Sequence, residues 1–155
     1  MTARTAGTAT ATTIVTHRYD APPERVFDAF LDVSIARRFL FATATGEMIT
    51  AEIDPRIGGR YTFTERRPEM GDVLHTGEYL EISRPTRLAF TFGVPQFSPG
   101  YTTVTIDIRP DGEGCVLTLT NYDVPVAFSG NEDGWTRILV GLLPAYAGVH
   151  GAGWR

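Results

Sequence analysis

Asn131-Glu132-Asp133-Gly134-Trp135-Thr136-Arg137-Ile138-Leu139-Val140-Gly141-Leu142-Leu143-Pro144-Ala145-Tyr146 is the stretch on which the fold turns. Trp135, Ile138, Leu139, Leu142 and Tyr146 recur at three- and four-residue spacing, so they form one apolar stripe along a helix. Asn131 stands where an N-cap belongs, with Glu132 and Asp133 in the first turn. Pro144 removes the bond from its own nitrogen to the Val140 carbonyl, which predicts a kink in one long helix. Upstream the period changes to two. Residues 48–53, 60–66, 76–82, 88–92, 102–108 and the run from Cys115 alternate as strands, separated by Gly- and Pro-rich turns. Residues 14–19 read as an earlier strand. Pro22-Pro23-Glu24 then opens a short helix with Val26, Phe27, Phe30 and Leu31 on one face, and a second covers residues 34–39.

An antiparallel sheet of this size has one apolar face, and only the terminal helix is large enough to cover it. The expected fold is therefore α+β: a curved antiparallel sheet of about six to seven strands around a long C-terminal helix, with two short helices after strand 1. A twisted sheet curls, so one helix need not fill the concavity, and an internal cavity is predicted.

Composition bounds the function. A chain of 155 residues, 43% hydrophobic and 21% charged, supports one core, placed at residues 14–148. Residues 1–13 lack the apolar segment of a secretory signal and read as a disordered tail, with 149–155 a second tail. All 14 basic residues are arginine, which excludes the phosphate-loop motif and lysine Schiff-base chemistry. A net charge of -4 with no basic run longer than two residues argues against a nucleic-acid partner. Cys115 is alone, so no internal disulfide or thiolate zinc site is available. The longest apolar stretch, residues 138–149, is broken by Gly141, Pro144 and Gly148 and falls short of the ~20 residues of a membrane span. These features predict a cytoplasmic protein without metal or cofactor.

No catalytic constellation is present in the sequence. His17, His75 and His150 are scattered, no serine lies in a nucleophile elbow, and Gly112-Glu113-Gly114 reads as a turn. Alternation instead places polar groups on the core-facing side. Glu65 shares parity with Tyr61 and Phe63, Glu78 with Leu80 and Ile82, and Asn121 with Leu117 and Leu119. Such groups could orient the polar end of a guest or move a proton; equally, they could reach water at strand ends or pair with Arg18 or Arg66. Arg66-Arg67 read most simply as solvated positions. The candidate ligand-binding set is Phe39, Tyr61, Phe63, Glu65, Glu78, Phe90, Phe92, Asn121, Trp135 and Leu139, with no catalytic residue assigned.

Residues 21–30 (APPERVFDAF), 58–63 (GGRYTF), 77–82 (GEYLEI), 85–92 (PTRLAFTF) and Gly134-Trp135 follow the order seen in the SRPBCC superfamily. The chain resembles most the branch named for the C-terminal domain of activators of the ninety-kilodalton heat-shock-protein ATPase. The resemblance implies a helix-grip fold with a hydrophobic cavity between sheet and long helix. Phe39-Leu40-Phe41 stands where related bacterial sequences often carry a tryptophan pair.

Three functions follow from the resemblance. The expected one is non-catalytic binding of a small hydrophobic or amphipathic molecule. A polyketide cyclase/aromatase-like enzyme, with Glu65 or Glu78 moving protons, is the second. The third is a co-chaperone-like interaction module. The eukaryotic activators, however, use an additional N-terminal domain to engage the chaperone, and 155 residues leave no room for it. An open sheet edge would also allow two copies to pair.

Overall fold

The computed structural model of the protein describes residues 10–125 and 131–147. Seven strands form one antiparallel sheet: β1 (Thr10–Tyr19), β2 (Glu47–Ile53), β3 (Arg60–Arg67), β4 (Gly71–Ser83), β5 (Arg87–Phe92), β6 (Thr102–Asp111) and β7 (Gly114–Pro125). Their order across the sheet is β1-β7-β6-β5-β4-β3-β2, so β2 to β7 run as a meander and β1 closes on the last strand. Two helices, α1 (Pro23–Ala29) and α2 (Val33–Phe39), link β1 to β2, and α3 (Glu132–Val140) and α4 (Leu142–Ala147) follow β7. This is the expected helix-grip arrangement.

Local chemistry accounts for the elements. Pro22 and Pro23 sit at the start of α1, where no N–H partner is needed, and the Asp32 side chain caps α2 by accepting from the Ser34 N–H. Inward residues of the strands make one continuous core. Phe63, Val104, Ile106, Leu117 and Leu119 are fully buried under Leu139 and Leu142 of the C-terminal segment. Two tyrosine hydroxyls tie that segment down: Tyr19 donates to the Leu139 carbonyl at 2.7 Å, and Tyr146 to the Arg25 carbonyl at 2.6 Å.

Several expectations need correction. β1 begins at Thr10, and Thr10, Ala11 and Thr13 pair with β7 across a register shift, so residues 10–13 belong to the strand. The rest of that tail and residues 148–155 lie outside the described residues. The terminal helix is divided at Gly141: Pro144 has no N–H for the Val140 carbonyl, while the bonds from Gly141 to Arg137 and from Ala145 to Gly141 survive on either side. Asn131 occupies the N-cap position but its side chain does not cap. Lastly, β4 starts five residues earlier than its alternation suggested, and its register shifts between Tyr79 and Glu81.

That shift matters for parity. Val73, His75, Gly77 and Tyr79 face the core, whereas Leu80 is exposed. Gly77 has to be glycine: a Cβ there would stand 1.8 Å from the Thr91 carbonyl oxygen and 2.7 Å from the Tyr61 hydroxyl.

Candidate functional site

Among the described residues, two adjoining cavities lie near the start of α3. A cavity of about 160 Å³ lies between Gly134, Trp135, Arg137 and Ile138 of α3, Arg67, His75 and Phe92 of the sheet, and the Phe41-Ala42-Thr43 loop after α2. A second, of about 330 Å³, continues from Arg67, His75, Phe92 and Asn131 under the β5–β6 loop, bounded by Phe97, Tyr101 and Asp123. The two adjoin, sharing Arg67, His75, Phe92 and Asn131 in their linings, and are together called the cleft. Gln96 pins the roof, accepting from the Leu74 N–H at 3.1 Å and donating to the Asp72 carbonyl.

An aromatic slab forms the floor. The Phe41 ring stacks on His75 (4.8 Å, 10°) and on Phe92 (5.2 Å, 7°), and Trp135 meets Phe92 edge-on at 5.4 Å. Phe41 holds this place with a left-handed backbone, φ 63°, which costs a non-glycine residue about 1–2 kcal/mol. The surrounding packing holds this strained backbone in place: Phe41 is 4% exposed.

Behind the slab runs a chain of polar groups. Glu65 is buried on β3, where its carboxylate accepts from the Thr43 N–H (2.6 Å) and hydroxyl (2.8 Å) and from Arg67 Nε (2.6 Å). Burial opposes its ionisation, but the bonds from Arg67 and Thr43 outweigh burial and hold the carboxyl below the ordinary range. Gly46 makes room for it, since a Cβ there would lie 2.2 Å from Glu65 Oε2. Arg67 Nη2 reaches His75 Nε2 at 3.5 Å, and His75 Nδ1–H donates to the Phe63 carbonyl at 3.2 Å. That assignment leaves Nε2 as the acceptor and the ring neutral. Burial, reinforced by the Arg67 charge and partly offset by the Phe63 carbonyl, pulls the His75 pKa down to about 4.

Asn121 closes the other side. Its carbonyl accepts from Trp135 Nε1 (3.2 Å) and Asn131 Nδ2 (3.1 Å), while its amide donates to Thr102 Oγ1 (2.9 Å) and the Thr103 carbonyl (3.3 Å). The Asn131 carbonyl accepts from the Thr13 hydroxyl at 2.6 Å, so this side chain joins β1, β7 and α3 instead of capping the helix.

The sequence-derived residues therefore divide. Phe92, Trp135 and Asn121 line the cleft. Tyr61 and Phe90 border only a void of about 10 Å³, too small for any guest beyond about one water. Phe39, Phe63 and Leu139 are core residues that line none of these three cavities. Glu65 is inward as expected, but its partner is Arg67, not Arg18 or Arg66, and it lies behind that partner. Glu78 is on the outer face, 45% exposed, with Arg60 at 4.0 Å, because the irregularity in β4 reverses the parity read from Leu80 and Ile82. Neither carboxylate reaches the cleft. Phe41, Thr43, Arg67 and His75 were missed; the parity of Arg67 with Glu65 was the available signal. Arg67 is 17% exposed, not a solvated position.

The family model described as "Activator of Hsp90 ATPase homolog 1-like protein" matches residues 20–148. Among solved structures, the chain is similar to protein CV1439 from Chromobacterium violaceum, with 27% identity, 86% of this chain and 94% of that chain covered, and a TM-score of 0.73. An AHSA1-like protein from Aeromonas hydrophila superposes with TM-score 0.74 at 17% identity, covering 94% and 98% of the two chains. CalU16 from Micromonospora echinospora does so with TM-score 0.65 at 21% identity, covering 86% and 74%. The last two likenesses bear on fold alone. No curated protein matches the chain. Among the described residues, no helix is long and apolar enough to cross a membrane.

Proposed function

Because this chain belongs to the Activator of Hsp90 ATPase homolog 1-like family, within the SRPBCC superfamily, we propose that it binds a small hydrophobic or amphipathic molecule in the cleft at the start of α3. The observation that carries the reading is the pair of adjoining cavities of about 160 and 330 Å³, both lined by Phe92 and the smaller also by Trp135. Apolar walls with a few convergent polar groups are what small-molecule sites require. The reading is non-catalytic. Glu65 is engaged by Arg67 and Thr43 and Glu78 faces outward, so neither can meet a guest's reacting atoms. Family membership does not by itself assign a chaperone partner, since a shared fold hosts many functions.

The experiment is a titration with N-phenyl-1-naphthylamine, an uncharged dye that brightens in apolar surroundings, alongside native mass spectrometry of the purified protein. Saturable brightening at one site, reversed by an apolar competitor, is expected. No brightening and no added mass would reject the reading.

A further inference from the structure

Arg67 is unusual among the arginines for being set into an apolar wall. Its Nε is committed to Glu65 at 2.6 Å, while Nη2 makes only a long contact with His75 (3.5 Å) and Nη1 one with the Met70 sulfur (4.0 Å). A guanidinium carries five N–H donors, so at least two are left without an acceptor among the described residues. Arg67 is 17% exposed and its Nη1 lies beside the exposed Met70, so these donors face water until a guest supplies a better acceptor.

Arg137 faces the same space from the helix. Its Nη2 lies 3.9 Å from where a Cβ on Gly134 would stand, so the guanidinium folds back over that glycine at the edge of the cleft. It makes no side-chain hydrogen bond or ion pair with another described residue. Residues lining the smaller cavity include both arginines and no carboxylate. Glu65 neutralises one of the two charges from behind, which leaves the chamber with an excess of about one positive charge. Asp123, the acid bordering the larger cavity, does not line the smaller one.

We propose, resting on the cleft as the binding site, that its guest is an organic anion whose carboxylate, sulfonate or enolate oxygen is held between Arg67 and Arg137. The apolar body lies along Phe92 and Trp135. An anionic oxygen gives the idle Arg67 donors the acceptor that they lack, and charge-assisted bonds of this kind are the strong ones. Asn121 takes no part in head-group binding, because all its hydrogen-bonding groups are already used. Its role is to fix Trp135 and Asn131.

Two dyes separate this inference from the carrier reading. N-phenyl-1-naphthylamine and 1-anilinonaphthalene-8-sulfonate share one ring system and differ by the sulfonate. The sulfonate is expected to bind the folded protein at one site about ten-fold more tightly, the effect of one charge-assisted hydrogen bond. The advantage should shrink as NaCl rises from about 20 to about 500 mM. Arg137→Gln, an exposed substitution, should reduce the preference for the sulfonate at least about three-fold with an unchanged circular-dichroism spectrum. Equal affinities, or a preference untouched by Arg137→Gln, would overturn the anion assignment and leave the carrier reading standing. Binding of neither dye would reject the carrier reading itself.

Discussion

His75 stacks on Phe41, which in turn stacks on Phe92, and its Nδ1–H donates to the Phe63 carbonyl while Nε2 faces Arg67, so protonating it means disturbing the floor of the cleft. Burial lowers its pKa from 6.5 to about 4 in the folded chain. Between those two values the unfolded chain holds more protons, so stability falls as pH falls through this window, by about 2 kcal/mol between pH 7 and 4.5. Glu65 acts in the same direction further down: its lowered pKa adds stability above the ordinary carboxylate range, lost as pH falls through the folded value. His75→Asn keeps a donor for the Phe63 carbonyl and removes the titration. Urea unfolding from pH 7 to 4.5 should show a loss about 2 kcal/mol smaller in the variant, and parallel curves would place the proton uptake elsewhere. The ion pair behind His75 supplies a second test. Arg67→Gln alone strands the Glu65 carboxylate and should cost about 3 kcal/mol, whereas Glu65→Gln with Arg67→Gln should cost less than the sum of the single changes. Strict additivity in that cycle would show the pair to be uncoupled.

The strands and helices were legible because their periods are local properties: six alternating runs and one stripe locate the meander and the element that covers it. What alternation cannot supply is register. The irregularity between Tyr79 and Glu81 is set by pairing with Phe90 and Ala89 on β5, and it moved Glu78 to the outside while Gly71-to-His75 joined β4 unannounced. Arg67 was hidden differently: its type favours solvent, and only its even spacing from Tyr61, Phe63 and Glu65 says otherwise. The break after α3 was half visible, since Pro144 marks the missing bond but not the glycine where the helix divides. Gly141 there is in ordinary helical conformation, φ -79°, and a Cβ would meet nothing nearer than Phe39 Cβ at 3.4 Å. Gly141→Ala should therefore stabilise the protein by about 0.5–1 kcal/mol in urea unfolding. Gly77→Ala, whose Cβ would press on the Thr91 carbonyl oxygen at 1.8 Å, should cost more than about 3 kcal/mol. If both changes act alike, the two glycines are not distinguished by space.

At the scale of the molecule, the cleft joins segments far apart in the chain: the loop at Phe41 to Thr43, the strands carrying Arg67, His75 and Phe92, and α3 with Trp135 and Arg137. A guest touching all three binds only the assembled fold, so it must stabilise the whole domain by mass action. At a free concentration 100 times its dissociation constant, the stabilisation is about 2.7 kcal/mol, and for a domain of this size that raises Tm by about 5–10 °C. Gly134 allows the location to be tested without damaging the fold. It lines the smaller cavity within α3, and a Cβ there would approach only the flexible end of Arg137, at 3.9 Å. Gly134→Leu should hold or raise the Tm of the free protein, because leucine suits a helix better than glycine. Its side chain would also occupy the space that the guest needs. The dye-induced rise in Tm seen with 1-anilinonaphthalene-8-sulfonate should then disappear. If the rise persists at full size in a folded Gly134→Leu protein, the dye is bound somewhere other than the cleft between α3 and the sheet.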